Sequence, residues 1–340
     1  MTEFRRDPLT HRWVITGFID SDRPEELIPT LKRNPPEHCH FCEGNEHFTP
    51  KETYAHRAEG SVPNRPGWDI RVVPNRTTDL RIRELQKRGQ GGIYDLQNAS
   101  GIHETIVETP KHTNRFSQLP LAQMVKVLKT YQDRYEEHKK NHLLKGVLIF
   151  RNQGRGGALV FEHTHSHMIS LPFIPKTVEN ELKGAKRFYD LKTRCIFCDM
   201  VSEEKKINQR ILYENDDYIS WCPFAARFPF EAWIIGKSHQ SEYSKTDPAT
   251  FENLARAIRF TLSSIEKVVG DTPISFVIHS APLRFDVTED YSYVPNVYHW
   301  HIEILPHALP AGGFEWGGDF FLSPPTPERC AKVLKTMGDN

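Results

Sequence analysis

Residues 163–172 read His163-Thr-His-Ser-His-Met-Ile-Ser-Leu-Pro172, and residues 299–306 read His299-Trp-His-Ile-Glu-Ile-Leu-Pro306. Both have the look of a β-strand that ends on Leu-Pro. Alternate side chains of an extended chain share a face, so His163, His165 and His167 are expected on one side of the first strand. What precedes each strand repeats too. Each half runs through a Cys-x-x-Cys turn (Cys39/Cys42, then Cys195/Cys198), β-rich segments, a His after a loop (His112, then His239), one long helix and a strand.

The helices are read from spacing. Leu121, Met124, Val125, Leu128 and Tyr131 recur at helical intervals within Leu121 to His142, as do Phe251, Leu254, Ile258, Leu262 and Ile265 within Pro248 to Val269. Strands are expected at Trp13 to Ile15, Asp69 to Val73, Glu104 to Thr109, Gly146 to Phe150, Ala158 to Leu171 and Ile274 to Ile278. Lys183 to Lys192 reads as a charged connector, and Arg23-Pro24, Asn34-Pro-Pro36 and Val62 to Pro66 read as loops. The two Cys pairs lie 156 residues apart, far beyond the roughly 20–50 of stacked solenoid repeats, so a tandem duplication accounts for the pattern. The expected architecture is α+β, with domains at residues 1–185 and 186–340, each an antiparallel sheet with one long helix.

Composition narrows the function. The chain has 340 residues, with 44 Lys and Arg against 44 Asp and Glu. A net charge of zero gives no footprint for nucleic acid or an anionic membrane. The N-terminus lacks the apolar run of a secretory signal, and the strongest apolar stretches, such as Ala232-Trp-Ile-Ile235, are far short of a membrane span. A cytoplasmic location is expected. In that setting, four of six Cys in two Cys-x-x-Cys pairs and 17 His suggest metal before disulfide. A redox pair would open a helix in a βαβ unit, whereas Pro, Asn, Lys and Asp around these pairs suggest turns.

Chemistry enters with Asn152-Gln-Gly-Arg-Gly-Gly-Ala158, a Gly-rich turn whose backbone N–H groups suit phosphate oxygens. Beside it, an imidazole able to attack phosphorus and leave again splits one phosphoryl transfer into two easier steps. Two thiolates and two imidazoles satisfy a closed, structural zinc site. Equivalent places in the two halves select Cys39, Cys42, His112 and His163 for one site, and Cys195, Cys198, His239 and His299 for the other. Two zinc ions per chain are expected, with His165 left for chemistry.

These residues resemble the galactose-1-phosphate uridylyltransferase branch of the histidine triad (HIT) superfamily. The resemblance is carried by His163-Thr-His-Ser-His167 against a His-Pro-His-x-Gln signature, Asp7-Pro-Leu-Thr10 with Trp13-Val14, Arg23-Pro24, Cys39-x-x-Cys42, Arg71-Val-Val-Pro-Asn75, His103-Glu104 through Pro110, Asn152-x-Gly154, Pro223-Phe-Ala-Ala226 and Gly312-Gly-Phe-Glu315. Paired Cys motifs with Gly-Gly-Phe-Glu look closest to the two-zinc members, among them the plant-type ADP-glucose phosphorylase. The resemblance implies tandem HIT-like domains and makes His165 the nucleophile of a nucleotidyl-imidazole intermediate. It places Asn152 and Gly154 on the nucleotide phosphates, Asn75 near the nucleoside, and Glu315 on the hexose of a partner subunit, hence a homodimer. Substrates would be a nucleotide sugar and a sugar phosphate.

Some positions depart from the family. His167 replaces a Gln and is able to act as general base or acid, which favours water; Val160 replaces a phosphate-binding Ser; Leu309 and Phe321 replace Lys and Gln. Three readings follow: a nucleotidyltransferase, an ADP-sugar phosphorylase or HIT-type nucleotide hydrolase, and a non-catalytic zinc-stabilised nucleotide-binding protein. His301 and Glu303 form a rival site without a Gly-rich loop before it, since His279-Ser-Ala-Pro282 is a poor substitute, and read as a degenerate copy.

Overall fold

The computed structural model describes residues 2–16, 38–75, 77–78, 80–86, 93–154, 162–285 and 290–338. The Arg23-Pro24 and Asn34-Pro-Pro36 motifs, Arg155 to Ala158 of the Gly-rich turn and Val160 lie outside the described residues. In chain order the elements are β1 (Glu3–Arg6), β2 (Trp13–Thr16), β3 (Tyr54–Arg57), β4 (Trp68–Pro74), β5 (Asp95–Asn98), β6 (Ile102–Val107), α1 (Leu121–Lys139), β7 (Gly146–Gln153), β8 (His165–Leu171), α2 (Lys176–Lys192) and α3 (Ile196–Ile207). There follow β9 (Ile211–Glu214), β10 (Tyr218–Trp221), β11 (Ala232–Gly236), α4 (Phe251–Val269), β12 (Ile274–His279), α5 (Val294–Val297), β13 (His301–Pro306), α6 (Gly313–Gly318) and α7 (Pro327–Gly338).

The fold is α+β, and the duplication shows in its topology. Ten strands form one sheet in the order β3-β4-β6-β8-β7-β12-β13-β11-β10-β9. Read inward from either edge, the first three strands of a repeat lie in chain order and its fifth slots between the third and fourth. The long helix, α1 or α4, comes in both cases between the third strand and the fourth. All pairings are antiparallel, including the seam where β7 meets β12. The two sheets expected from the sequence are therefore halves of one. β1, β2 and β5 make a separate small sheet.

Hydrophobic patterning explains the layers. Ile70, Val72, Ile106, Ile149, Met168, Phe276, Ile278, Ile302 and Ile304 sit at alternate strand positions and pack with α1 and α4 in a single buried cluster, so the two repeats share one core. The opposite face carries His165, His167, His301 and Glu303. Over the second half of that face lies a cluster built from Val178, Leu182 and Ala185 of α2, Phe197 and Val201 of α3, and Ile219, Trp221 and Ile235 of the sheet.

Several expectations are corrected here. Lys183 to Lys192 is no connector but the end of α2; Val178, Leu182 and Ala185 form its buried stripe, which the surrounding lysines obscure in the sequence. The 185/186 division falls inside this helix, whose buried stripe packs with second-repeat residues. Cys195 and Cys198 do not lie in a turn: Cys195 caps the N-terminus of α3. The strand expected at Ala158 to Leu171 begins, among the described residues, at His165, so His163 precedes it.

Candidate active site and metal clusters

The eight residues selected as metal ligands lie together in two groups, Cys39, Cys42, His112 and His163, and Cys195, Cys198, His239 and His299; within each group the donor atoms are all within 4.8 Å of one another. In the first, Cys39 Sγ is 3.5 Å from His163 Nδ1, and Cys42 Sγ is 3.5 Å from His112 Nδ1 and 3.6 Å from His163 Nδ1. A tetrahedral zinc with Zn–S of about 2.3 Å and Zn–N of about 2.05 Å separates S from N by about 3.6 Å. The imidazole tautomer fits as well. His163 Nε2 donates to the Thr109 carbonyl at 2.8 Å, which leaves Nδ1 as the lone-pair nitrogen facing the thiols. Burial holds His163 down to about 4, in the neutral form a ligand needs, while burial and the neighbouring Cys39 push the Cys42 thiol up to about 12. A buried and a half-buried sulfur this close both become thiolates only with a cation between them. In the second group Cys198 Sγ lies 3.3 Å from His239 Nδ1 and 3.9 Å from His299 Nδ1, and His239 Nε2 donates to the Pro295 carbonyl at 2.7 Å. The donor chemistry of both groups fits zinc.

His163 also fixes the next histidine of its run. His165 Nδ1 donates to the His163 carbonyl at 2.6 Å, so the lone pair of the neutral ring resides on Nε2. Burial lowers the pKa of His165 and keeps that ring neutral. Phe41, between the two cysteines, packs against it at 5.1 Å, and His167 stands edge-on at 5.1 Å. Thr164 points the other way, into a buried network. Its Oγ1 donates to Glu108 at 2.5 Å and accepts from Arg151 at 2.8 Å; Arg151 pairs with Glu108 at 2.9 Å, and the Tyr131 hydroxyl donates to Glu108 at 2.9 Å. These groups clamp the His163 to His165 backbone from beneath.

His167 pairs with a residue to which the sequence reading gave no role. Its Nδ1 lies 3.1 Å from His103 Nε2, and His103 Nδ1 lies 2.9 Å from Thr78 Oγ1. Burial holds His103 down to about 4 and pushes His167 well below its ordinary value, so two neutral rings share one proton in their hydrogen bond. Phe150 stacks on His167 at 5.1 Å. The signal for His103 is its alternate position on β6, two residues before Thr105, which pairs across the ladder with His167; a single sequence does not print that register.

The remaining predicted residues divide. Asn75 donates to Thr105 Oγ1 at 3.0 Å, beside His167. Asn152, on β7, shares the face of Phe150 and hence of His165 and His167. Gly154 has φ +89°, and a Cβ there would stand 2.3 Å from the Thr272 carbonyl oxygen, so only glycine fits. Glu315 accepts from the Gly312 N–H at 2.8 Å and lines a cleft of about 240 Å³ with Arg227, Phe228, Leu309 and Phe321, a lining that does not include His165 or His167.

His301 occupies the place of His165 in the second repeat, and Glu181, His279, His301 and Glu303 form a third group of donor atoms within 4.8 Å. Their charges are met by protein partners. His279 Nδ1 is 2.8 Å from Glu181, the Tyr298 hydroxyl donates to Glu181 at 2.6 Å, and Arg227 donates to Glu303 at 2.7 Å.

Fold and site together define a protein of two like α+β repeats joined in one sheet, each with a Cys₂His₂ cluster and a His-x-His run. The family model for galactose-1-phosphate uridyl transferase, N-terminal domain, matches residues 73–175. ADP-glucose phosphorylase of Arabidopsis thaliana is 31% identical over 98% of this chain and 93% of its own, and galactose-1-phosphate uridylyltransferase of Thermotoga maritima is 25% identical over 98% of each. The crystal structure of the Arabidopsis thaliana ADP-glucose phosphorylase with bound ADP-glucose matches with a TM-score of 0.75 and 30% identity, covering 98% of this chain and 99% of that one. The chain belongs to the galactose-1-phosphate uridylyltransferase family. Among its described residues no helix is long and apolar enough to cross a membrane.

Proposed function

We propose that the chain is a nucleotidyltransferase that moves a nucleoside monophosphate between a nucleotide sugar and a sugar-1-phosphate through a covalent nucleotidyl-histidine at His165. The observation that carries this is the Nδ1 hydrogen bond of His165 to the His163 carbonyl, which aims a neutral Nε2 lone pair from the face shared with Asn152 and His167. Nε2 attacks the α-phosphorus of the nucleotide sugar, an N–P bond forms, and the P–O bond to the β-phosphate breaks, releasing sugar-1-phosphate. A phosphate oxygen of the acceptor then attacks the same phosphorus and the N–P bond breaks. Asn152 and the N–H groups at Gly154 would hold phosphate oxygens, Asn75 the nucleoside side, and His167, relayed through His103, the leaving or entering oxygen.

Cys39, Cys42, His112 and His163, with the second set Cys195, Cys198, His239 and His299, would hold two zinc ions, whose chemistry is structural because four protein donors close each sphere. Phe314, Trp316, Phe320 and Leu322, 56–80% exposed around Glu315, support a homodimer in which Glu315 serves the partner's hexose.

A second reading, phosphorolysis of an ADP-sugar, is favoured by the higher identity to ADP-glucose phosphorylase and by the similar structure holding ADP-glucose. One experiment tests both. The protein is incubated with UDP- and ADP-sugars labelled in the α-phosphate, the acid-labile adduct is trapped, and the adduct is chased with hexose-1-phosphate, phosphate or water. Adduct from one base, consumed fastest by hexose-1-phosphate, is the expected result; consumption by phosphate alone selects the second reading. Absence of adduct with every donor would falsify both.

A further inference from the structure

We infer that Ser275, backed by His307, is a positioning residue that the second repeat contributes to the first repeat's phosphate site; this rests on the reading above that Asn152 holds substrate phosphate. Across the seam, Ser275 on β12 is the direct ladder partner of Asn152 on β7. Ser275 Oγ donates to Asn152 Oδ1 at 2.9 Å. On its other side, Ser275 Oγ lies 2.8 Å from His307 Nε2.

Proton counting gives this chain a direction. A serine hydroxyl has one proton, and a carboxamide oxygen is only an acceptor. With the Ser275 proton committed to Asn152 Oδ1, the 2.8 Å contact is made in the tautomer whose His307 Nε2–H donates to Oγ, and in that tautomer the hydroxyl has no acceptor on the His307 side. Phe228 meets the His307 ring edge-on at 5.2 Å and restrains it. The two ends of a carboxamide have nearly the same shape and opposite polarity, and a phosphate oxygen accepts only from the amine end. Pinning Oδ1 therefore turns Nδ2 outward as a donor; among the described residues Nδ2 has no acceptor of its own. The backbone at this point is already fixed. Gly154 rests against the Thr272 carbonyl, and Gln153 Nε2 donates to Glu266 of α4 at 2.6 Å. The freedom that remains is rotation of the Asn152 amide, and Ser275 removes it.

Ser275 touches no reacting atom, so its loss should slow chemistry more than it weakens binding. In Ser275→Ala the single-turnover rate of nucleotidyl-His165 formation is expected to fall about tenfold, with KM for the nucleotide sugar changed less than threefold and Tm nearly unmoved. Ser275→Thr, which keeps the hydroxyl, should recover most of the rate, and His307→Ala should cost about threefold. The deciding comparison is a double-mutant cycle: in an Asn152→Ala background, Ser275→Ala should cost nothing further. If Asn152→Ala is slow but Ser275→Ala stays within twofold of wild type, or if the serine effect persists at full size without Asn152, the positioning role is overturned and the site reading stands. An Asn152→Ala enzyme within twofold of wild type overturns the site reading and the positioning role together.

Discussion

The two repeats share a skeleton and differ in what surrounds it. Phe41 packs on His165 at 5.1 Å, and Phe197 packs on His301 at 5.3 Å. Each second histidine turns Nδ1 to the carbonyl of the first, at 2.6 Å for His165 and 3.1 Å for His301. Beneath them, Thr164 feeds a polar clamp with Glu108 and Arg151, whereas its counterpart Trp300 is a buried side chain of the shared apolar core. Above them the contrast is sharper. His165 follows a strand that ends at Gln153, just before Gly154; His301 lies under α2, with the Glu181 carboxylate 3.9 Å from its Nε2 and Trp233 stacked on its ring at 4.7 Å. A carboxylate there repels any phosphate and the ring leaves it no room. On the proposed reading the same imidazole geometry would serve catalysis in one half and packing in the other, with the neighbours deciding which.

That comparison breaks most plainly at the histidines. His165→Ala should lower transfer by on the order of 10⁴-fold or more and abolish the acid-labile adduct, with zinc content and Tm retained. His301→Ala should leave adduct formation within about threefold, since the cost falls on packing around α2. Adduct formed on His301 rather than His165, read by peptide mapping, would reverse the roles of the repeats.

The Cys₂His₂ clusters sharpen it at a lower level. Cys39→Ala and Cys195→Ala should each remove about one zinc per chain and lower Tm, because a closed site stabilises the fold that forms it. Only the first should also slow the adduct, by about 10²-fold, because His163 holds both the cluster and the carbonyl that orients His165. Elemental analysis, calorimetry and single-turnover labelling report the three quantities. Equal kinetic losses would show that both clusters act only through stability.

How much of this was legible follows from which interactions are local. Alternation and helical spacing near Gly146 to Phe150, Ile274 to Ile278, Leu121 and Phe251 are local signals, and the structure places β7, β12, α1 and α4 there. The grouping of the two Cys₂His₂ sets was legible for a different reason: duplication supplied a second copy against which to choose His112, His163, His239 and His299. Three features were not legible. α2 hides its stripe of Val178, Leu182 and Ala185 among lysines and glutamates, so composition outweighed period. The joining of two sheets into one depends on the β7 to β12 pairing, a contact between segments more than a hundred residues apart that leaves no mark on either strand. His103 acquires its partner only through the β6 to β8 register.

The finest test of the contrast is His167, because the second repeat has Glu303 at that position and the family signature has Gln. A Gln amide bonds phosphoryl oxygens and neither gains nor loses a proton, whereas His167 sits on the His103 and Thr78 relay and is able to pass one. Burial keeps the His167 ring neutral, so a ring lone pair is available to accept from water, although the same burial makes it a weaker base than a free imidazole. His167→Gln should therefore slow hydrolysis of the adduct severalfold while transfer to a sugar phosphate or phosphate, whose oxygens arrive already ionised, changes by less than about twofold. Chasing the isolated adduct in water and in acceptor separately gives the partition ratio. A ratio that does not move would mean that His167 acts only as a hydrogen-bond donor to the phosphoryl group, as the Gln does, and that the His103 contact serves to orient it.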